Sequence, residues 1–156
     1  MRIELVAVGR RPPAWVAAGY QEYARRLPRD CALFLREIPA ARRERGADVA
    51  ALVRREGERM LERIPPRARV IALDERGQAW TTRQLASRLQ DWRLGGQDIA
   101  LLVGGPDGLA PACMDRAEAS WSLSPLTLPH FLVRVLVAEQ IYRAWSLNAG
   151  HPYHRE

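Results

Sequence analysis

Residues 131–147, FLVRVLVAEQIYRAWSL, form a helical run that is apolar on nearly every side, and the rest of the chain has to be arranged around it. A helix on a protein surface carries one apolar stripe opposite a polar face. Here Phe131, Leu132, Val133, Val135, Leu136, Val137, Ile141, Tyr142, Trp145 and Leu147 encircle the axis, with Arg134, Glu139, Gln140 and Arg143 set among them. Such a helix must be buried on most sides, and in a chain of 156 residues one covered face is expected to belong to a second subunit. The run follows a short strand-like segment, residues 126–128, broken by Pro129. It leads into a polar tail, HPYHRE, and residues 121–156 contain all three histidines.

The preceding sequence alternates between apolar runs of strand length and amphipathic helical patterns. Residues 3–8, 33–38, 69–73 and 99–103 read as buried strands. Pro12 and Pro13 suit the first turn of a helix ending before Pro28, with Trp15, Ala18, Tyr20, Tyr23 and Leu27 as its apolar face. Asp48 suits the N-cap of a helix reaching about residue 64, with Val49, Leu52, Val53, Met60 and Leu61 as its core face. Thr81 or Thr82 caps a third helix, closed by Gly95 and Gly96, and a short helix to about Ala119 follows the fourth strand. Strands apolar on both faces, alternating with helices, imply a single α/β domain over residues 1–156, built on a mainly parallel sheet with helices on both faces. Ligands of such sheets sit beyond the carboxyl ends of the strands, which nominates Leu73, the Val103-Gly104-Gly105 junction and residues 123–128.

The net charge is +6 and the sequence pI about 10.3, with arginine as every basic side chain other than histidine. That excess favours a polyanionic partner such as RNA, and the basic loop AARRERG, residues 40–46, is either a solvated run or an RNA-facing one. Cys31 and Cys113 are too few and too far apart for a disulfide framework or a paired-cysteine metal site. They fit a reduced, cytoplasmic protein. The N-terminal apolar run is of strand length and lacks a cleavage motif, and residues 131–138 fall short of the roughly 18 a membrane span needs. A soluble protein with no membrane segment is expected.

The turn Gly104-Gly105-Pro106-Asp107-Gly108 lets backbone approach a ligand closely, yet it matches neither the dinucleotide fingerprint nor the phosphate-binding loop. Glu139 and Arg143 are one helical turn apart, which by itself suits simple helix support. On so apolar a helix a charge must be paired or used. His130 suits a helix start, and His151 and His154 lie in the polar tail. These histidines with two distant cysteines do not supply a zinc site, and no metal is expected.

Taken together, Val103-Gly104-Gly105 and Gly108, Leu123-Ser124, Thr127, Pro129-His130, Arg134, Glu139-Gln140, Tyr142-Arg143-Ala144 and Tyr153-His154 closely resemble the motifs of the ribosomal RNA large subunit methyltransferase H family, within the knotted SPOUT methyltransferases. The resemblance extends over essentially the whole chain. It implies methyl transfer from S-adenosylmethionine (SAM) to N3 of a pseudouridine in large-subunit ribosomal RNA on assembled ribosomes, by a homodimer with a C-terminal deep trefoil knot. It further implies a cofactor pocket of Leu73, Gly104, Gly105, Leu123, Ser124, Pro125, Leu126, Thr127 and Leu128. The catalytic group it implies comprises Glu139, Arg143, Tyr153 and His154, with Glu139, His154 or a held water as proton acceptor and Arg143 or Arg134 steadying the uracil carbonyls. Arg42, Arg43 and Arg45 are expected to meet RNA phosphates. The alternatives are a SPOUT enzyme acting on tRNA and a non-catalytic RNA-binding protein of the same fold.

Overall fold

The computed structural model describes residues 1–155. Its elements run β1 (Arg2–Val8), α1 (Ala14–Ala24), β2 (Ala32–Ile38), α2 (Val49–Leu61), β3 (Arg69–Ala79), α3 (Thr82–Gly95), β4 (Ile99–Val103), α4 (Pro111–Arg116), β5 (Ala119–Ser122) and α5 (His130–Asn148). A final turn of 3-10 helix covers Pro152–Arg155. The strands form one sheet in the order β2-β1-β4-β3-β5, and every pairing is parallel.

Because side chains alternate across a strand, each central strand feeds two cores. Ile3, Leu5, Ala7, Ile71, Leu101 and Val103 pack with Tyr20 of α1, Leu85, Leu89 and Trp92 of α3, and Val137 and Ile141 of α5. Val6, Val8, Val70, Ala100 and Leu102 pack on the other face with Val53 and Met60 of α2 and Cys113 of α4. The helix ends follow local chemistry. Asp48 accepts a hydrogen bond from the Ala51 amide at 3.3 Å, Thr81 and Gln84 form a reciprocal capping box, and Gly96 closes α3 at φ 67°.

Three expectations need correction. The strand near the C-terminus is Ala119–Ser122, not residues 126–128, and α4 stops at Arg116 to make room for it. The strand is legible only in three dimensions. Ala119, Ser120 and Trp121 pair with Ile71, Ala72 and Leu73, and the Trp121 ring stacks on Trp80 at 5.2 Å, whereas Pro125 and Pro129 keep the following segment irregular. On α1 the inward face is Val16 and Tyr20, and Trp15 is 61% exposed. On α2, Val49 is exposed, while Glu56 and Gly57 join the buried side. No residue of the 131–147 stretch is fully exposed, and its buried set includes the charged Arg134.

Candidate active site

The sheet's carboxyl edge opens into a cavity of about 420 Å³. Three segments make it. The first is the middle of β3, where pairing with β4 stops at Leu73 and the register with β5 shifts between Leu73 and Gln78; Leu73, Asp74, Glu75 and Arg76 line the opening there. The second is the turn after β4, from Val103 to Leu109. The third is the irregular loop after β5, contributing Leu123, Ser124, Leu126, Thr127 and Leu128, backed by His130 and Val133 of α5. Pro125 is exposed and stands outside the lining.

The glycine turn folds on itself: Gly105 and Gly108 form an isolated antiparallel bridge, with the Gly108 amide donating to the Gly105 carbonyl at 3.1 Å. A Cβ on Gly104 would lie 2.5 Å from the Gly108 carbonyl carbon, so only glycine permits this closure. The post-β5 loop is pinned by side chains, with the Ser124 hydroxyl accepting from the Leu126 amide at 3.0 Å and the Thr127 hydroxyl donating to Glu75 at 2.9 Å.

Charge on the rim is mostly negative, from Asp74, Glu75 and Asp107. Arg76 pairs with Asp74 at 3.0 Å, and hydrogen bonding from that arginine holds the Asp74 carboxyl below its usual range. His130 lies in the wall, its ring 4.4 Å from that of Phe131. Burial first, then the Arg134 and Arg43 charges, push its pKa below the ordinary histidine value. The sequence marks His130 as a helix start and as part of the Pro129-His130 motif, not as a cavity residue; Asp74, Glu75, Arg76 and Asp107 lie beside the nominated strand ends without being named for the pocket.

Further along α5 lies a second cluster. Glu139 accepts from Arg143 Nε at 2.7 Å and from the Tyr153 hydroxyl at 3.0 Å on Oε1, and from Gln140 Nε2 at 2.7 Å on Oε2. Gln140 in turn accepts from the Thr82 hydroxyl at 3.2 Å. The Arg143 guanidinium lies 4.8 Å over the Tyr153 ring, which packs 4.7 Å from that of Tyr142. Burial and the Glu139 hydrogen bond raise the Tyr153 phenol pKa strongly, so it stays a donor. The His154 ring nitrogen Nδ1 contacts the His151 carbonyl oxygen.

The structure brings Glu139, Arg143 and Tyr153 together and sets His154 against the His151 carbonyl, but none of them lines the cavity. At a rise of about 1.5 Å per residue, Glu139 stands roughly 13 Å along α5 from His130. Arg134 is in neither place. It is 0% exposed, donates to the Val8 and Gly9 carbonyls at 3.2 and 2.6 Å, and approaches Glu37 at 3.5 Å. Its guanidinium is turned into the fold, with Nη2 on the two carbonyls and Nε and Nη1 without a hydrogen-bond partner among the described residues.

A family model described as a predicted SPOUT methyltransferase matches residues 1–154. The ribosomal RNA large subunit methyltransferase H of Thioalkalivibrio sulfidiphilus is 61% identical over 156 residues, covering all of both chains. The chain belongs to this family of SPOUT methyltransferases. Solved structures share its fold at low identity. A methyltransferase from Legionella pneumophila, solved with bound SAM, aligns with a TM-score of 0.52 and 10% identity over 92% of this chain and 66% of that one. A methylase family protein from Haemophilus influenzae aligns with a TM-score of 0.55 and 13% identity over 97% and 69%. Within this SPOUT chain, among the described residues, no group of three or more histidine, cysteine, aspartate or glutamate side chains could hold a metal ion. Among the same residues no helix is long and apolar enough to cross a membrane.

Proposed function

We propose that the chain is a single-domain, SAM-dependent methyltransferase that methylates N3 of a pseudouridine in large-subunit ribosomal RNA. It acts on the assembled ribosome, as a cytoplasmic homodimer. The observation that carries this reading is the convergence of Leu73, Gly104, Gly105, Leu123, Ser124 and residues 126–128 on one acid-rimmed cavity, in a chain 61% identical end to end to a methyltransferase of that name.

The residues fit the cofactor. A cavity of about 420 Å³ falls in the range of small-molecule sites, roughly 300–1,000 Å³. Backbone groups of the glycine turn and of the post-β5 loop can take its polar edges, and the Asp74, Glu75 and Asp107 carboxylates suit a cationic ligand. When bound, SAM supplies an electrophilic methyl on a sulfonium whose leaving group is a neutral thioether. We also read residues 122–130 and α5 as threaded through the preceding loop in a deep trefoil knot, as the family resemblance implies.

What the chain itself must supply is orientation and removal of a weakly acidic imide proton. Both Glu139 oxygens are already occupied, so Glu139 is read as the group that orders Arg143 and Tyr153. Arg143 then faces the uracil carbonyls and offsets their developing negative charge. His154 is the proton acceptor. With Nδ1 turned to the His151 carbonyl, its Nε2 is left as the basic nitrogen. Since none of the cluster lines the cavity of its own chain, and Glu139 stands roughly 9 Å along α5 beyond Val133 in the cavity wall, the tail of one protomer serves the cavity of the other. The apolar, incompletely buried flank of α5 is the expected contact between them.

Exposed Arg42 and Arg45, with Arg55 and Arg59, border a second cavity of about 740 Å³ beside the first turn of α2. With Arg55 and Arg59 added, and Arg43 left out because it turns inward to Glu56 and Asp107, these are the arginines proposed to meet RNA phosphates, and ribosome affinity should fall steeply with salt.

The deciding experiment incubates the protein and labelled SAM with ribosomes, separated subunits and bulk tRNA from a strain lacking the corresponding methyltransferase, followed by nucleoside analysis. Label in N3-methylpseudouridine of large-subunit RNA is expected. Label confined to tRNA would overturn the substrate and keep the chemistry, and no label in any fraction would overturn both.

A further inference from the structure

Arg43 lies in the basic loop between β2 and α2, yet unlike Arg42 and Arg45 it turns inward. Its Nη1 donates to Glu56 Oε1 at 2.8 Å and to the Ala41 carbonyl at 2.9 Å, while its Nε donates to Asp107 Oδ2 at 2.7 Å. Glu56 is 2% exposed and takes a further hydrogen bond from the Ala41 amide at 3.0 Å. A carboxylate buried that deeply needs a cation, and the guanidinium supplies it at Oε1, with Oε2 left without a hydrogen-bond partner among the described residues, while reaching a second carboxylate with another edge of its fork. The second carboxylate belongs to the tip of the glycine turn. On its inner side that turn is already confined: a Cβ on Gly105 would lie 3.0 Å from Val8 and 3.6 Å from Glu56 Oε2. Its outer side has Arg43 alone as a charged anchor among the described residues.

We infer that Arg43 is a positioning residue for the cofactor: by bridging Glu56 and Asp107 it holds the Gly104–Gly108 turn in the closed shape that forms one wall of the cavity. The inference rests on the reading of that cavity as the SAM site and adds a residue outside it.

The test measures affinity for S-adenosylhomocysteine by calorimetry in the full-length protein, with steady-state kinetics on ribosomes in parallel. Asp107→Asn weakens the bridge and leaves the Arg43–Glu56 pair intact. Arg43→Gln/Glu56→Gln removes the bridge without stranding a buried carboxylate. Each is expected to weaken S-adenosylhomocysteine binding by about tenfold and to raise KM for SAM by a larger factor than it lowers kcat at saturating SAM. Arg43→Lys, which lacks the fork, is expected to restore less than half of the lost binding energy. Combining Asp107→Asn with the charge-removed pair should be no worse than either alone. Unchanged affinity in folded variants, or a loss confined to kcat, overturns the inference alone. Failure of the unaltered protein to bind S-adenosylhomocysteine overturns the cofactor reading with it.

Discussion

The Tyr153 hydroxyl donates to Glu139 Oε1 across 3.0 Å, tying the C-terminal turn to the middle of α5. Glu139 thus holds donors from three residues on its two oxygens. Tyr153→Phe is expected to lower the single-turnover rate about tenfold, and Glu139→Gln, which also weakens the hold on Arg143, by about a hundredfold. His154→Ala should cost at least as much as Glu139→Gln. Single-turnover assays on ribosomes check this order, and a full rate for His154→Ala would remove it as the proton acceptor.

The separation of that cluster from the cavity predicts complementation between defective chains. His154→Ala keeps a sound cavity, and Gly104→Ala, whose new Cβ collides with Gly108, keeps a sound tail. If one protomer's tail serves the other's cavity, a refolded equimolar mixture regains about a quarter of normal activity, because half the dimers are mixed and each mixed dimer has one intact site. Mixtures as inactive as either parent would place both parts of the site in one chain.

Arg134 is predicted to matter for stability. Arg134→Ala removes hydrogen bonds to the Val8 and Gly9 carbonyls and the guanidinium's packing over Phe131, and should cost about 3 kcal/mol in denaturant unfolding. Arg134→Met fills the space and sheds a desolvated charge, so a smaller loss, about 1–2 kcal/mol, is expected. Equal costs would mean that packing contributes little there.

His130 gives stability a pH dependence of known sign. Its folded-state pKa is pushed below the ordinary value by burial and by Arg134 and Arg43, with Glu56 acting in the opposite sense. The unfolded chain therefore takes up the proton first as pH falls. The histidine's contribution is complete above about 6.5 and is lost progressively below it. His130→Asn should flatten the pH profile of the melting temperature between pH 7 and 5, and an unchanged profile would assign the slope to other groups.

The order of these elements was readable because each signal is local. Apolar runs such as residues 99–103 and caps such as Asp48 and Thr81 act within a few residues of themselves. The alternation of strand and helix then leaves few arrangements besides a parallel sheet. The glycine turn and the Glu139–Arg143 spacing were legible for the same reason: one reflects backbone sterics, the other the pitch of a helix.

Tertiary structure decided the rest. β5 is four residues of modest hydrophobicity, and it is a strand because β3 offers an edge and Trp80 offers a ring to Trp121. The fates of three arginines differ for the same kind of reason. Arg134 is sealed against Gly9, Arg43 is drawn between Glu56 and Asp107, and Arg42 stays at the surface, though the sequence presents all of them as positive charges. Charge, periodicity and turn chemistry belong to the sequence. Which carboxylate a guanidinium meets, and which cavity a strand end faces, depends on residues as distant in the chain as Val8 and Arg134, because only packing sets the distance between them.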